Sequence, residues 1–234
     1  MQFIVRAILV TCLVLCAATT VAAKAVNSVL PSRHFYVAFD AGISQNRFGL
    51  NASQIGSDLS PKITANPYQT GFTGSVALGY LNHFKSQGLY GLALRLRGAA
   101  GKARYADNRL LTDDTIQNPA TIDLDAQVGL SLTSQIRTIL QVGPSLAYVQ
   151  DSITSPAGLF AVPTTTKQNK WLVGVHVALK GADQISRNWF VFCSYDFHYY
   201  AKTSFSDFAN HQVNYSRKNG LVSSNYLIGL GRIL

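Results

Sequence analysis

The sequence predicts an all-β fold: a transmembrane antiparallel up-and-down β-barrel of about eight strands, with long extracellular loops and short periplasmic turns. Three observations predict it. The 234 residues hold no Glu and one Met but 18 Gly, 11 Tyr and 12 Phe, so strong helix formers are scarce and strand formers abound. Hydrophobic residues make up 47% of the chain and charged ones 13%, a balance that excludes disordered and coiled-coil proteins. Apolar residues also recur with a period of two in run after run, and the oily face of each run is nearly free of charge.

The first element is expected to be removed. Residues 1–23 read as a signal peptide, with Arg6 as the only charge, a short apolar run from Ala7 to Cys16, and a small-residue cleavage site at Val21-Ala22-Ala23. That run is shorter than the ~20 residues a spanning helix needs. Residues 24–234 then form one outer-membrane barrel domain. Cys12 and Cys16 leave with the signal, so Cys193 is the only cysteine of the mature chain and no internal disulfide is possible.

Eight alternating runs follow. In His34 to Ser44, Phe35, Val37, Phe39, Ala41 and Ile43 oppose Tyr36, Ala38, Asp40, Gly42 and Ser44. Gly71 to Tyr80 sets Phe72, Val76, Leu78 and Tyr80 against small residues, and Gly88 to Ala100 sets Tyr90, Leu92, Leu94 and Leu96 against Gly91, Ala93, Arg95 and Arg97. Thr121 to Leu132 alternates without exception. Ile136 to Gln150 carries Pro144 on its oily face, which marks a bulge or local break in pairing. In Lys170 to Lys180, Trp171, Val173, Val175, Val177 and Leu179 oppose Gly174, His176, Ala178 and Lys180. Trp189 to Tyr200 repeats the pattern, although Phe190 and Phe192 interrupt its polar face, and the last run centres on Tyr226, Ile228 and Leu230. The links at roughly 45–70, 101–120, 151–169 and 201–221 are long and polar. Those near 81–87, 133–135 and 181–188 are short.

Which face meets which medium follows from residue size and charge. The polar face is mostly Gly, Ala, Ser and Thr, which suit the cramped inside of an eight-stranded barrel. The oily face is nearly free of charge, as Arg or Lys facing mid-bilayer lipid costs ~2 to 4 kcal/mol. With strands running alternately up and down, Phe72, Tyr148, Trp171, Tyr199 and Tyr226 fall at one end of the oily face, and Phe35, Tyr80, Tyr90 and Trp189 at the other. Two aromatic girdles are therefore expected, about nine to eleven residues apart, the span of a tilted strand.

At these residues the chain resembles the small outer-membrane β-barrel family that includes the OmpA transmembrane domain, OmpX and the opacity-type surface proteins. The resemblance rests on Phe35-Tyr36-Val37-Ala38-Phe39-Asp40-Ala41-Gly42, Gly71-Phe72-Thr73-Gly74, Leu78-Gly79-Tyr80 and the final Tyr226 to Leu234. It implies a place in the cell outer membrane of a Gram-negative cell and recognition of the C-terminal strand by the outer-membrane assembly machinery. Family members end in an aromatic residue, usually Phe, whereas this chain ends in Leu234 with Arg232 two positions earlier.

The inward-facing charges carry the available chemistry. Asp40, Arg95, Arg97, Asp123, Asp125 and Asp196, with Lys180, His176 and His198, are expected in the lumen, and Arg95 and Arg97 are expected to pair with Asp123 and Asp125 on the neighbouring strand. Such a network would fill the interior and block continuous flow. No catalytic, cofactor or metal site is expected. Ser194, Asp196 and His198 lie ~7 Å apart along one strand, too far for a direct relay, and the five His are scattered without ligand spacing. The net charge is +9, and several of the positive charges lie in the long links, including Arg47, Lys62, Lys102, Arg104, Arg109, Lys167, Lys202, Arg217 and Lys218. This distribution points to lipopolysaccharide phosphates at the headgroup level, not to nucleic acid. The expected role is structural and surface-interacting, as an adhesin or lipopolysaccharide-contacting barrel whose loops meet a host or surface ligand. The alternative is a narrow passive pore for small solutes or ions.

Overall fold

A computed structural model of the chain describes residues 33–54, 63–84, 88–107, 112–133, 135–155, 164–210 and 213–234. The expected signal at 1–23 lies outside them, as do Lys62, Arg109 and the side chain of Arg217.

The described residues are strand almost throughout. The strands are β1 (Arg33–Gln54), β2 (Ile63–Ala65), β3 (Tyr68–Phe84), β4 (Gly88–Ala99), β5 (Ala103–Asp107), β6 (Thr112–Ser131), β7 (Ile136–Ser155), β8 (Thr164–Gln184), β9 (Trp189–Asn210) and β10 (Val213–Ile233). Pairing runs β1-β3-β4-β6-β7-β8-β9-β10, every pair antiparallel, and β10 returns to β1 from Tyr36↔Ile233 to Gln54↔Tyr215. The cylinder is thus closed with eight long strands, and closure removes the unpaired edges that an open sheet would expose. The short β2 and β5 lie beside β1 and β6 at the end away from the chain termini.

Side chains obey the predicted alternation. Phe35, Phe39, Leu78, Leu92, Leu94, Leu124, Val128, Val175 and Ile228 lie exposed on the outside, while Tyr36, Ala38, Ala77, Ala93 and Ala178 are buried within. Phe72 is 79% exposed and Trp171 is 51% exposed, values that water would penalise across so wide an apolar band. The outer rings pair along the rims. Tyr148 packs on Trp171 and Tyr195 on Tyr226, each with centroids 5.1 Å apart, and Phe35 packs on Tyr80 at 5.0 Å.

Two expectations need correction and a third is narrowed. Most described residues of the links expected at 45–70, 101–120, 151–169 and 201–221 are strand, because β1, β6, β7, β8, β9 and β10 each extend well past the apolar band. Above the band the outer face turns polar, so the pairing persists while the oily stripe that announces it disappears. Pro144 marks a local break in pairing and not a bulge: Gly143 and Pro144 have no ladder partners on β6, while Asp123↔Ser145 and Ala126↔Val142 hold the same alignment on either side, and the register shift of this pair lies at Gln117/Ala120. The lumen is also less uniformly polar than the inward faces imply. Phe48, Leu50, Ile116, Val149, Leu172, Tyr200 and Leu221 form an apolar cluster at the loop end. Tyr36, Leu81, Leu89, Ile139 and Phe192, with Phe190, form another at the turn end. Phe190 and Phe192 break the polar pattern because they belong to this inner plug. Their rings lie over Gly231 and Gly229, where any added Cβ would fall within 2.1 and 2.3 Å of a ring atom.

Candidate functional site

Between the two apolar plugs lies a buried ionic belt. Asp40, Arg95, Arg97, Asp123, Asp125 and Asp196 all point inward, none more than 8% exposed, together with His176, His198 and Lys180. Alternation places them there: each sits in phase with the small inward residues of its strand.

Asp196 is the hub. Both guanidiniums, from Arg95 and Arg97, donate to the same oxygen of its carboxylate, crossing the lumen from β4 to β9. The expected pairing of Arg95 and Arg97 with Asp123 and Asp125 is therefore replaced by a cross-barrel one. Arg95 does lie in register with Asp123 on β6, but its long side chain projects across the narrow interior instead of folding back onto the neighbouring strand. Arg95 also donates to the Gln141 amide oxygen at 2.7 Å.

Asp123 and Asp125 turn to the histidines. His176 Nδ1 lies 2.7 Å from Asp125 Oδ1, and His198 Nε2 lies 3.2 Å from Asp123 Oδ1 and 3.1 Å from Arg97 Nη1. The Ser145 hydroxyl donates to Asp123 and stands 2.8 Å from the Tyr200 hydroxyl, while the Ser75 hydroxyl donates to Asp40 at 2.6 Å. Lys180 lies over the Phe192 ring, 4.3 Å from its centroid, at the boundary between the belt and the turn-end plug. Groups on seven of the eight long strands, β1, β3, β4, β6, β7, β8 and β9, take part in these contacts.

Sequence reasoning missed the histidine pair. His176 and His198 are direct cross-strand partners on β8 and β9, and their rings stack with centroids 4.4 Å apart and planes 22° from parallel. The signal was present in the short connection between these strands, which fixes the hairpin register and so aligns the two positions. Ser194, Asp196 and His198 do not form a relay, since Asp196 is engaged by the two arginines and the nearest carboxylate to His198 is Asp123.

No protein-family model matches the chain. A protein of Coxiella burnetii, described only as uncharacterised, is 27% identical over 196 residues, covering 76% of this chain and 74% of its own. Among solved structures, the outer membrane protein OprG of Pseudomonas aeruginosa is similar with a TM-score of 0.51 at 12% identity, covering 86% of this chain and 96% of OprG. Neisserial surface protein A is similar with a TM-score of 0.38 at 17% identity, covering 85% of this chain and 96% of that one.

Proposed function

We propose that this chain, whose fold is that of the small outer-membrane β-barrels, is a sealed, non-catalytic barrel of the cell outer membrane that works through its outer and loop-end surfaces. The observation that carries this reading is the filled interior. Two apolar plugs enclose a cross-linked ionic belt, and Arg95, Gln141, His176 and Asp196 within that belt are fully buried. A solute would have to break the paired charges at Asp196 to pass, which is costly once one partner is left alone.

The surface role rests on the loop-end cations. Arg47, Lys102, Arg104, Lys167, Lys202 and Lys218 are exposed, and the Arg47 guanidinium lies 5.8 Å from the centroid of the outward Tyr68 ring. Cations just above an aromatic girdle suit the phosphates of lipopolysaccharide, and the extended strands hold the loops clear of the membrane for a host or surface ligand. The C-terminal strand β10, closing against β1, is the segment the assembly machinery would engage.

Planar-bilayer recording tests the sealed interior. The expected trace is quiet, with at most rare, small events; steady, large openings of the intact protein favour the narrow passive pore instead. For the surface, charge reversal at Arg47, Lys167 and Lys202 is expected to remove the thermal protection that added lipopolysaccharide gives, and undiminished protection contradicts the contact.

A further inference from the structure

The belt contains one arrangement that ion pairing leaves incomplete. One ligand atom each from Asp123, His176 and His198 can be chosen so that all lie within 4.8 Å of one another, and all three residues are buried. They come from β6, β8 and β9, so the barrel itself assembles the trio. His176 is oriented by its Nδ1 contact with the Asp125 carboxylate, the arrangement by which carboxylates orient metal-binding imidazoles. Its Nε2 is buried and makes no hydrogen bond, with Asp196 Oδ2, already held by both arginines, 3.7 Å away. Charge points the same way. Asp40, Asp123, Asp125 and Asp196 bring four negative charges into the belt, while Arg95, Arg97 and Lys180 return three positive ones.

We propose that Asp123, His176 and His198 form a binding site for one divalent transition-metal ion of the zinc class, with water completing the coordination. Two imidazoles and a carboxylate suit such an ion, which takes nitrogen and oxygen ligands at ~2.0 to 2.2 Å. Binding draws the three donors together and releases the Arg97 contact to His198 Nε2. The ion fastens β6 to β8 and β9 across the lumen, a cross-link that stabilises the closed cylinder without opening it. Because both ends of the interior are plugged, the ion enters during folding or local opening and leaves slowly.

The experiment uses the full mature chain, refolded in detergent after metal removal, with Co²⁺ as the probe. The expected result is one Co²⁺ per chain, with the visible absorption bands of a tetrahedral N/O site, and a raised unfolding temperature. The double variant His176→Gln/His198→Gln should lose the bands, and the variant His34→Gln/His83→Gln/His211→Gln should keep them. Since the belt variants risk misfolding, the metal content of wild-type chain purified from membranes without added metal is measured as well. Substoichiometric metal there, together with no Co²⁺ bands in the refolded wild type, overturns the site and leaves a proton as the belt's remaining positive charge. Bands lost only in the His34/His83/His211 variant overturn it too.

Discussion

Asp196 shows how much a single residue holds. Its one carboxylate accepts from two buried guanidiniums of another strand, so Asp196→Ala removes the ion-pair partner of both and is expected to cost about 3 to 5 kcal/mol. Removing one charge of each sign, as Asp196→Leu with Arg95→Met, is expected to cost less, because the pair goes together with its desolvation and Arg97 keeps its contact with His198. Urea unfolding of the two variants in detergent or lipid checks the ordering; equal losses would mean that the residues matter for shape and not for charge. The sequence made the identity and inward direction of these groups legible, since alternation alone sets the face. It did not make their partners legible. Side-chain reach across a narrow cylinder decides that Arg95 meets Asp196, 101 positions away, and not Asp123 beside it.

At the scale of the strand, the outer face and the inner face obey different rules. Leu94 is exposed midway along β4 between the girdles, and Leu94→Arg is expected to lose about 2 to 4 kcal/mol in lipid. Equilibrium unfolding from vesicles measures it, and a loss under 1 kcal/mol would place Leu94 near water. On the inner face of β10, Gly231 accommodates the Phe190 ring. Gly231→Val is expected to cost about 1 to 3 kcal/mol by overpacking, and Phe190→Ala in the same chain should recover part of that loss. The banded segments of the strands were readable because one face is oily. Their polar extensions, such as Gln45 to Gln54 of β1 and Ala201 to Asn210 of β9, were not. Once the outer face turns polar, hydrogen bonding continues but an outward oily stripe no longer reports it. The inward Phe48, Leu172 and Leu221 escaped notice for the opposite reason, being apolar residues in phase with a face that is polar lower down.

The molecule as a whole is an inverted soluble protein: charges occupy the centre and the aromatics and aliphatics face outward. Only a medium of lipid reconciles that arrangement with stability, because a continuous apolar exterior in water would drive association. The two tryptophans, Trp171 and Trp189, stand on opposite rims of the outer face. The measurement that tests the central claim most directly places a reporter between them: Leu94→Trp in a chain carrying Trp171→Phe and Trp189→Phe, reconstituted in lipids brominated at defined depths along the acyl chain. The account predicts strongest quenching by bromines near the bilayer centre and almost none by aqueous iodide. Quenching by iodide with indifference to the brominated chains would contradict it.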